Sequence, residues 1–457
     1  MRILAFIFLT VSMTVAYGQT FSRAYLVTNS NSANETHVHL INSGTTPQSF
    51  YGSLFAHSGE RIGNAGVLLH NGIVQPEGRI ILSAVDLEDI FDTDAWSGPA
   101  MLEVTADVQF EVVTSLTSSS GLMSNTNCVR QAEVHNIGGV DSDDVSYIRL
   151  INIGDSPIKG VRGSVVDTQG RPIGESHVTI LPMLGSKEQV WLTGEQLGNL
   201  VGVNWEGQAS LLLTAPHPNL RLLNLNFTTA DTFFNFSCYE SEERSGLFLV
   251  TNTESSNESE MHLINGSSES SSFAGRLVRA NGDATEQASL ADSVEPGGRV
   301  VFNSSALESV FGAETWQGPA MLDISGPERF DAMIRMKSPS GLVSNTNCVR
   351  RSSVHMIQGD GNSFVRFING GDHPIINISG TLYDAAGFAL GDSETVLFDS
   401  LSPGEQRFLN TKDLEAMFDV SWVGEASLVV TGAGDENLYL LNLNLIENST
   451  FFNFSCY

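Results

Sequence analysis

The chain contains many short segments in which apolar and polar residues alternate, which is the pattern of half-buried β-strands. Segments 100–104, 110–116 and 145–151 are examples, and all three are rich in β-branched and aromatic residues. Glycine-containing turns separate such segments at equivalent places, where glycine takes a positive φ without steric cost. These turns lie at 57–59, 167–170, 279–282 and 384–387, and a second set follows at 76–78, 184–186, 296–298 and 403–404. The pattern predicts an all-β fold of short, hairpin-linked strands.

This strand pattern occurs four times at a spacing of about 110 residues, the size of one domain. Each copy carries Leu/Phe-Ile-Asn near its start, Trp-x-Gly-x-Ala in its middle and Asn-x-x-Cys at its end. The asparagines of the first signature are Asn42, Asn152, Asn265 and Asn369. The tryptophans of the second are Trp96, Trp205, Trp316 and Trp422. We therefore predict four tandem immunoglobulin-like β-sandwich modules, each of about seven strands.

One short helix is predicted within each sandwich. An oxygen-bearing side chain stands where it can cap the first turn, and a leucine follows four residues later. The caps are Ser83, Thr193, Asn303 and Asn410, and the leucines are Leu87, Leu197, Leu307 and Leu414. The signature tryptophan follows the helix. We interpret it as a core residue at a tight turn, with the alternative that it is a platform for sugar rings.

The four copies form two similar halves. Segment 121–130 recurs as 341–350 with one change, and 232–239 recurs unchanged as 450–457. The position two residues before each Ile-Asn is histidine in the odd copies, His39 and His262, but arginine in the even ones, Arg149 and Arg366. We place the modules at 19–131, 144–239, 245–351 and 362–457. The links between them are short, so neighbouring modules are expected to contact each other.

Residues 1–18 read as a secretory signal peptide, with Arg2, an apolar stretch and the ending Ala16-Tyr17-Gly18. The stretch is shorter than the roughly 20 residues of a spanning helix, and no second such run follows. We therefore expect a secreted or cell-surface protein without a transmembrane segment, with the periplasm as an alternative location. The formal charge of −29 disfavours nucleic acid or an anionic membrane as a partner.

The four cysteines of an exported chain are expected to be oxidised. Each copy holds only one, so no disulfide can close within a module. Three connectivities are possible, and the similarity of the halves favours Cys128 with Cys238 and Cys348 with Cys456. Such bridges join neighbouring modules, and four buried thiols are the alternative.

The candidate metal ligands do not favour a metal site, and whether the glycosylation triplets carry sugar depends on the source of the protein. His37 and His39 lie two apart on a strand, but the even copies have arginine at the second position, which cannot bind a metal. His135 and His355 correspond to each other and are interpreted as interface residues. The acidic clusters 92–94 and 141–144 lack the glycine and glutamate of a calcium loop. Asn-x-Ser/Thr occurs nine times, at Asn34, Asn226, Asn235, Asn257, Asn265, Asn303, Asn377, Asn448 and Asn453.

No catalytic motif is present in the sequence, and we expect neither enzymatic activity nor a cofactor. An enzyme built on repeats would place its site where one copy differs from the others. The residues confined to one copy are His57, His70, His177, His217, His373 and Trp191.

The third copy resembles tandem β-sandwich modules of exported bacterial proteins. The resemblance rests on Met261 to Asn265, Val301 to Glu308, Trp316 and Gly341 to Ser344 in that order, and similar elements cover nearly all of the chain after residue 18. It implies a surface or extracellular location and no residue-level function, and the cysteines depart from it. The sequence therefore predicts a secreted structural or adhesive protein whose partners are unknown but could include cell-surface or matrix glycans or proteins. A carbohydrate-binding protein is the alternative, and a secreted hydrolase is a third possibility.

Overall fold

A computed structural model describes residues 20–94, 96–118, 123–142, 145–227, 233–237, 244–312, 316, 318–339, 343–431, 437–446, 450–453 and 455. The predicted signal peptide of residues 1–18, Cys238 and Cys456 lie outside this part of the chain. The described residues confirm the all-β class, because they fold into eight four-stranded antiparallel sheets with four short helices.

Within the described residues, each quarter of the chain contributes eight strands and one helix, one strand more than the pattern predicted. We use the name module 1 for residues 20–128, module 2 for 133–237, module 3 for 244–348 and module 4 for 353–455. Module 1 contains β1 Thr20–Val27, β2 Glu35–Ile41, β3 Tyr51–Phe55, β4 Arg61–Leu68, β5 Arg79–Leu82, α1 Ala84–Ile90, β6 Ala100–Ala106, β7 Glu111–Thr117 and β8 Met123–Asn125. Module 2 contains β9 Glu133–Gly138, β10 Val145–Asn152, β11 Ile158–Asp167, β12 Val178–Leu184, β13 Gln189–Thr193, α2 Gly194–Val201, β14 Gln208–Leu213, β15 Leu220–Phe227 and β16 Phe233–Asn235.

The second half repeats this order. Module 3 contains β17 Arg244–Val250, β18 Glu258–Asn265, β19 Ser271–Val278, β20 Ala288–Val294, β21 Arg299–Asn303, α3 Ser304–Phe311, β22 Ala320–Ser325, β23 Phe330–Lys337 and β24 Val343–Asn345. Module 4 contains β25 Ser353–Gln358, β26 Ser363–Asn369, β27 Ile375–Tyr383, β28 Ala389–Leu401, β29 Gln406–Asn410, α4 Thr411–Phe418, β30 Glu425–Thr431, β31 Leu438–Ile446 and β32 Thr450–Asn453.

The segments expected to be links before modules 2 and 4 are part of the sheets. Strand β9 pairs with β14, and β25 pairs with β30. The sheets of these modules therefore begin at Glu133 and Ser353, before the predicted starts at residues 144 and 362. The polar and glycine-rich stretches that suggested linkers lie in the turns after β9 and β25.

All four modules share one topology. In module 1, one sheet has the strand order β1-β6-β3-β4 and the other β5-β2-β7-β8, and the same order recurs in the other three. The second strand of each module lies between its fifth and seventh strands. In immunoglobulin constant domains it lies between the first and fifth, so the sandwich architecture is shared but the strand order is not.

Each module has its own hydrophobic core, formed by both sheets and the helix. The four predicted capping residues are the N-caps of the four helices. The four predicted leucines are fully buried beneath them. The signature tryptophans belong to the same cores and are at most 8% exposed. These tryptophans are therefore core residues, as expected, rather than platforms for sugar rings.

The modules contact one another in sequence and close into a ring. At each interface, the first residue of the fifth strand of one module donates its backbone N–H to the β3–β4-type hairpin of the preceding module. Gln189 donates to His57, Arg299 to Thr168 and Gln406 to Ala280 at 2.8 Å, and Arg79 of module 1 donates to Ala385 of module 4 at 2.9 Å. The last contact closes the ring, since it joins the first module to the fourth.

Apolar side chains complete these interfaces. Separate buried clusters join modules 1 and 2, 2 and 3, 3 and 4, and 4 and 1. The eighth strands of all four modules meet at the centre, around a cavity of about 20 Å³ lined by residues of β8, β16, β24 and β32. That volume holds about one water molecule. The centre of the ring is therefore packed.

Candidate functional site

The recurring asparagines of the Ile-Asn signature are structural. Asn42, Asn152, Asn265 and Asn369 are all 0% exposed. Each side-chain amide donates to the carbonyl four residues later. It also donates to a carbonyl at or beside the end of the fourth strand in modules 2, 3 and 4, and to that of Val74, in the segment after β4, in module 1. Each side-chain oxygen accepts the N–H two residues on. These bonds stabilise the loops beside the turn that contacts the neighbouring module. The asparagines therefore stabilise the module interfaces and do not form a ligand site.

The asparagine of Asn-x-x-Cys forms the same kind of side-chain turn. Asn125, Asn235, Asn345 and Asn453 each accept the N–H two residues on. In the even modules the amide also crosses to the preceding module, because Asn235 donates to the carbonyl of Cys128 at 3.2 Å and Asn453 to that of Cys348 at 3.0 Å. Cys128 and Cys348 are not free thiols. Their predicted partners lie outside the described residues, so the pairing stays a prediction.

The alternating arginine and histidine positions separate two kinds of interface. Arg149 and Arg366 are fully buried and donate to the carbonyls of Tyr25 and Phe248 in the preceding module. Burial lowers the pKa of both arginines to about 9. The interfaces between modules 1 and 2 and between modules 3 and 4, which we call the arginine interfaces, are therefore equivalent.

Histidine occupies this position at the other two interfaces. His262 lies against the ring of Phe236 of module 2, and its Nε2 is 2.8 Å from Glu260. Burial lowers the pKa of His262 to about 4 and, together with Arg79, that of His39 to about 3. Both histidines are buried. His39 and His262 do not lie near each other, since they belong to modules 1 and 3.

His135 and His355 lie in these interfaces, as the sequence suggested. His135 is close to Glu133 and Asp331, and one potential ligand atom from each of these three side chains lies within 4.8 Å of the others. However, Arg130 donates to both oxygens of Asp331 at 2.7 Å, and Arg329 lies 3.6 Å from Glu133. Two guanidinium groups beside the carboxylates repel a divalent cation. The arrangement is therefore typical of a charged module interface.

Module 1 and module 4 form the corresponding charged interface. The guanidinium of Arg350 contacts Glu111, and Nε2 of His355 is 3.8 Å from the same carboxylate. Burial, with Arg350 and Arg79 nearby, lowers the pKa of His355 to about 3. Glu77 in this region has a pKa raised to about 7 by burial and by Glu111.

The residues confined to one copy do not converge. His57, His70, His177, His217 and His373 occupy five separate loops in three modules. Trp191 lies in the interface of modules 1 and 2, where the Arg149 guanidinium is 5.2 Å from its ring centroid. Of the calcium candidates, Asp141 accepts the backbone N–H of Gly207 at 2.7 Å, while Asp143 and Asp144 lie outside the described residues. The other cluster, 92–94, follows α1.

The glycosylation triplets divide by burial. Asn226, Asn235, Asn265 and Asn453 are at most 3% exposed and cannot carry a glycan in the folded protein. Asn303 and Asn377 are exposed, and Asn34 and Asn257 are partly exposed. Asn448 lies outside the described residues. The sequence of the triplet does not distinguish the buried asparagines from the exposed ones.

An open cleft lies at the arginine interface between modules 3 and 4. This cleft of about 550 Å³ is lined by Arg276, Asp323, Asp372, His373 and Tyr439 together with asparagine, apolar and glycine residues. A second opening of about 440 Å³ adjoins it at Arg276 and Asp323. His373 is thus the one residue of the one-copy set that lines this cleft. We take this cleft, the 3–4 cleft below, as the candidate binding site.

Basic side chains occupy the equivalent place between modules 1 and 2. Arg23 of β1 pairs with Glu103 of β6, and Gly246 of β17 pairs with Asp323 of β22. Because β1 and β6 of module 1 are equivalent to β17 and β22 of module 3, Glu103 corresponds to Asp323 and Arg23 to Gly246. Arg23 Nε lies 2.9 Å and Lys187 Nζ 2.7 Å from the carboxylate of Glu103. Gly404 stands where module 2 has Lys187. Two basic residues of one interface are therefore glycines in the other.

The sequence contains a signal for this cleft, but its local patterns do not reveal it. Comparing the halves position by position shows an arginine and a lysine replaced by glycine while the acidic residue is retained. These replacements point to a shared site only because the structure places Arg23 and Lys187 in contact with Glu103. The three residues are far apart in the sequence.

No protein-family model matches the chain, and no curated protein matches it. A solved structure named "Biofilm associated protein - BSP domain" aligns over 95% of this chain and 95% of that chain at 9% identity, with a TM-score of 0.14. A TM-score this low does not indicate a shared fold. Within the described residues, the helices are all too short or too polar to cross a membrane.

Proposed function

We propose that this protein is an exported, non-enzymatic structural or adhesive protein that acts as a closed ring of four β-sandwich modules. The observation that carries the proposal is the repetition of one turn-to-hairpin contact at all four interfaces, including the contact between modules 4 and 1. Head-to-tail contacts that close produce a body of fixed size, whereas contacts that do not close produce extended arrays. The ring favours a compact unit over an extended spacer.

The distribution of the repeated polar residues supports the same proposal. The signature asparagines, the buried arginines and the interface histidines all contact neighbouring backbone or side chains of the ring. Catalytic groups would need to converge on a site that a substrate can reach. The histidines confined to single copies are instead distributed over separate loops.

Carbohydrate binding is the alternative function. The buried tryptophans cannot serve as sugar platforms, but the 3–4 cleft offers the partly exposed ring of Tyr439 beside polar groups. An aromatic face next to hydrogen-bonding side chains can bind a sugar. This alternative therefore depends on the cleft, while the structural function depends on the ring.

Export and the absence of turnover are tested with the full chain. We expect the protein produced in its native host to be cleaved near Gln19 and to be accessible to protease added to intact cells. We also expect no turnover of chromogenic ester, glycoside and peptide substrates by the purified protein. Turnover that is lost in the His373→Ala variant would contradict the proposal, as would retention of the uncleaved chain in the cytosol. Selective binding on a glycan array that a Tyr439→Ala variant loses would favour the alternative.

A further inference from the structure

The two arginine interfaces have equivalent structures, so the contacts within the interface of modules 1 and 2 indicate what the interface of modules 3 and 4 can bind. In the interface between modules 1 and 2, the Lys187 ammonium contacts three oxygens. It lies 2.7 Å from Glu103 Oε1, 2.9 Å from the carbonyl of Ile153 and 3.1 Å from Asp155 Oδ1. The Lys187 side chain is 9% exposed. This interface thus contains a formed ammonium site filled by the chain itself.

The same oxygens are present in the 3–4 cleft. Matching backbone hydrogen bonds show which residues of the two interfaces correspond. Ile153 donates to Asn219 as Gly370 donates to Asn437, so Ile153 corresponds to Gly370. Asn152 donates to Glu188 as Asn369 donates to Glu405, so Glu188 corresponds to Glu405. Asp155 then corresponds to Asp372, and Lys187 to Gly404. Asp323, Gly370, Asp372 and Gly404 all line the cleft. The acceptors are present in both halves, but the lysine is not.

The charges of the two sites differ by one unit. Glu103 and Asp155 are balanced by Arg23 and Lys187. In the 3–4 cleft, Asp323 and Asp372 are accompanied by one lining cation, Arg276, whose Nε is 2.8 Å from Asp323. Arg351 packs on the Tyr439 ring at 5.6 Å but does not line the cleft. The lining residues therefore carry one positive charge less than their counterparts.

The remaining wall of the cleft suits an aliphatic chain. Phe248, Val278, Met321 and Tyr439 line it beside the acidic groups. Phe248, Val278 and Met321 belong to the apolar cluster of this interface, and Tyr439 packs against it. A methylene chain buried against such a surface leaves its charged end free to bind the carboxylates. Gly404, at the position of Lys187, places no side-chain stem along this wall.

We propose that the 3–4 cleft binds a primary alkylammonium group, held by Asp323, Asp372 and the Gly370 carbonyl, with its alkyl chain against Phe248 and Tyr439. The group can belong to a small aliphatic amine or to a lysine side chain of a partner protein. Both sources share the chemistry that Lys187 shows in the other interface. This proposal goes beyond the structural or adhesive function and does not depend on it.

Binding is tested by calorimetry of the full chain with two probes, n-butylammonium and Nα-acetyl-lysine methylamide, with 1-butanol as the uncharged control. We expect both amines to bind at one site and 1-butanol not to bind. Asp323→Asn and Asp372→Asn should each weaken binding about tenfold, the size of one lost charge-assisted hydrogen bond. Asp392→Asn removes an exposed carboxylate of module 4 outside the cleft and should leave binding unchanged.

A self-blocking variant gives an independent test. Gly404→Lys places at this position the lysine that module 2 has at Lys187. The left-handed backbone accepts it, since Lys187 itself has a φ of 58° and Gly404 a φ of 72°. The new lysine should fill the cleft once Val278 shifts, and it should abolish amine binding while circular dichroism and the melting temperature stay near those of the unaltered protein. Binding of the lysine derivative alone would assign the site to a partner's side chain. Failure of both amines to bind at about 10 mM, or equal binding to the Asp323→Asn and unaltered proteins, would overturn the proposal.

Discussion

The hairpin glycines have two separate reasons to be glycine. Gly59, Gly170, Gly282 and Gly387 have φ values of 84°, 79°, 88° and 87°. A Cβ at each would also lie 2.2–2.5 Å from a carbonyl oxygen of the next module, that of Ser186, Pro296, Pro403 or Pro76. The sequence indicated the first reason from turn chemistry. The second reason exists only because the modules form a ring.

Gly387→Ala should separate these two effects when it is compared with Gly424→Ala. Both glycines belong to the fourth quarter of the chain and have φ near 85°, but a Cβ at Gly424 meets nothing within 4 Å, whereas one at Gly387 meets Pro76 of module 1. The left-handed backbone costs each variant about 1–2 kcal/mol. The contact should cost Gly387→Ala about 1–3 kcal/mol more in the free energy of unfolding. Urea denaturation measures both values, and equal losses would argue against the contact between modules 4 and 1.

Glu77 should make stability depend on pH. Because its pKa is raised from 4.5 to about 7, the native state binds more protons than the unfolded state between these values. Stability contributed at this site is therefore lost as the pH rises from 4.5 to 7. The Glu77→Gln variant has no ionisable group at this position, so its stability should lack this loss.

We expect the Glu77→Gln variant to match the unaltered protein below pH 4.5. Above pH 7 it should be more stable by on the order of 1 kcal/mol, since the carboxyl is only partly buried. Thermal unfolding across this pH range tests the expectation, with Glu60→Gln as the control at an exposed position in the same module. A variant whose stability follows that of the unaltered protein at every pH would exclude the raised pKa.

At the scale of elements, the short helices are defined by their first turns. In α1, α2 and α4 the cap side chain accepts an amide, and the third helical residue returns a bond to the cap backbone. Asn303 caps α3 through its side chain. Helices of seven or eight residues are too short to be stable alone, so caps and the buried leucines hold them. Local sequence therefore predicted these helices correctly.

Asn410→Ala should lower the free energy of unfolding by about 1 kcal/mol, because the amide of Asp413 loses its acceptor. Asn410→Asp keeps an acceptor and should cost little. Guanidinium denaturation of the two variants gives the difference. Equal stability of both would mean that the cap contributes nothing and that packing of Leu414 alone determines α4.

Strands were harder to predict than helices. The sequence pattern predicts links at β9 and β25, because glycines and acidic residues lie within or just after these segments. Their pairing partners, β14 and β30, lie about 70 residues later in the chain. A strand that depends on a distant partner has no strong local signal, so the sequence indicates the number of repeats more clearly than the residue at which each sheet begins.

At the scale of the whole molecule, closure of the ring makes the protein compact. A compact chain of about 440 residues has a radius of gyration of about 22 Å. We expect small-angle X-ray scattering to give a value close to this, with a single-peaked distance distribution. A clearly larger radius with several peaks would indicate modules that follow one another without closing.

Disulfide mapping tests the predicted pairing. Asn235 and Asn453, three residues before the second cysteine of each pair, bond to the carbonyls of Cys128 and Cys348. This proximity supports bridges Cys128–Cys238 and Cys348–Cys456. Proteolysis without reductant should release these two linked peptides, and reduction should lower stability by about 2–5 kcal/mol for each bridge. Peptides that link Cys128 to Cys348 would show a different pairing.

The sequence by itself determined what short-range chemistry controls: four all-β repeats, their hairpin glycines, helix caps and buried leucines, and the grouping into two halves. Each of these depends on residues within a few positions of one another or on direct repetition. Only the tertiary structure decided that the modules close into a ring and that one of two equivalent arginine interfaces is open. Arg23, Glu103 and Lys187 meet across about 160 residues of chain, and their counterparts at Gly246, Asp323 and Gly404 leave a cleft. Contacts at such separations arise from packing of folded modules, which a local pattern does not encode.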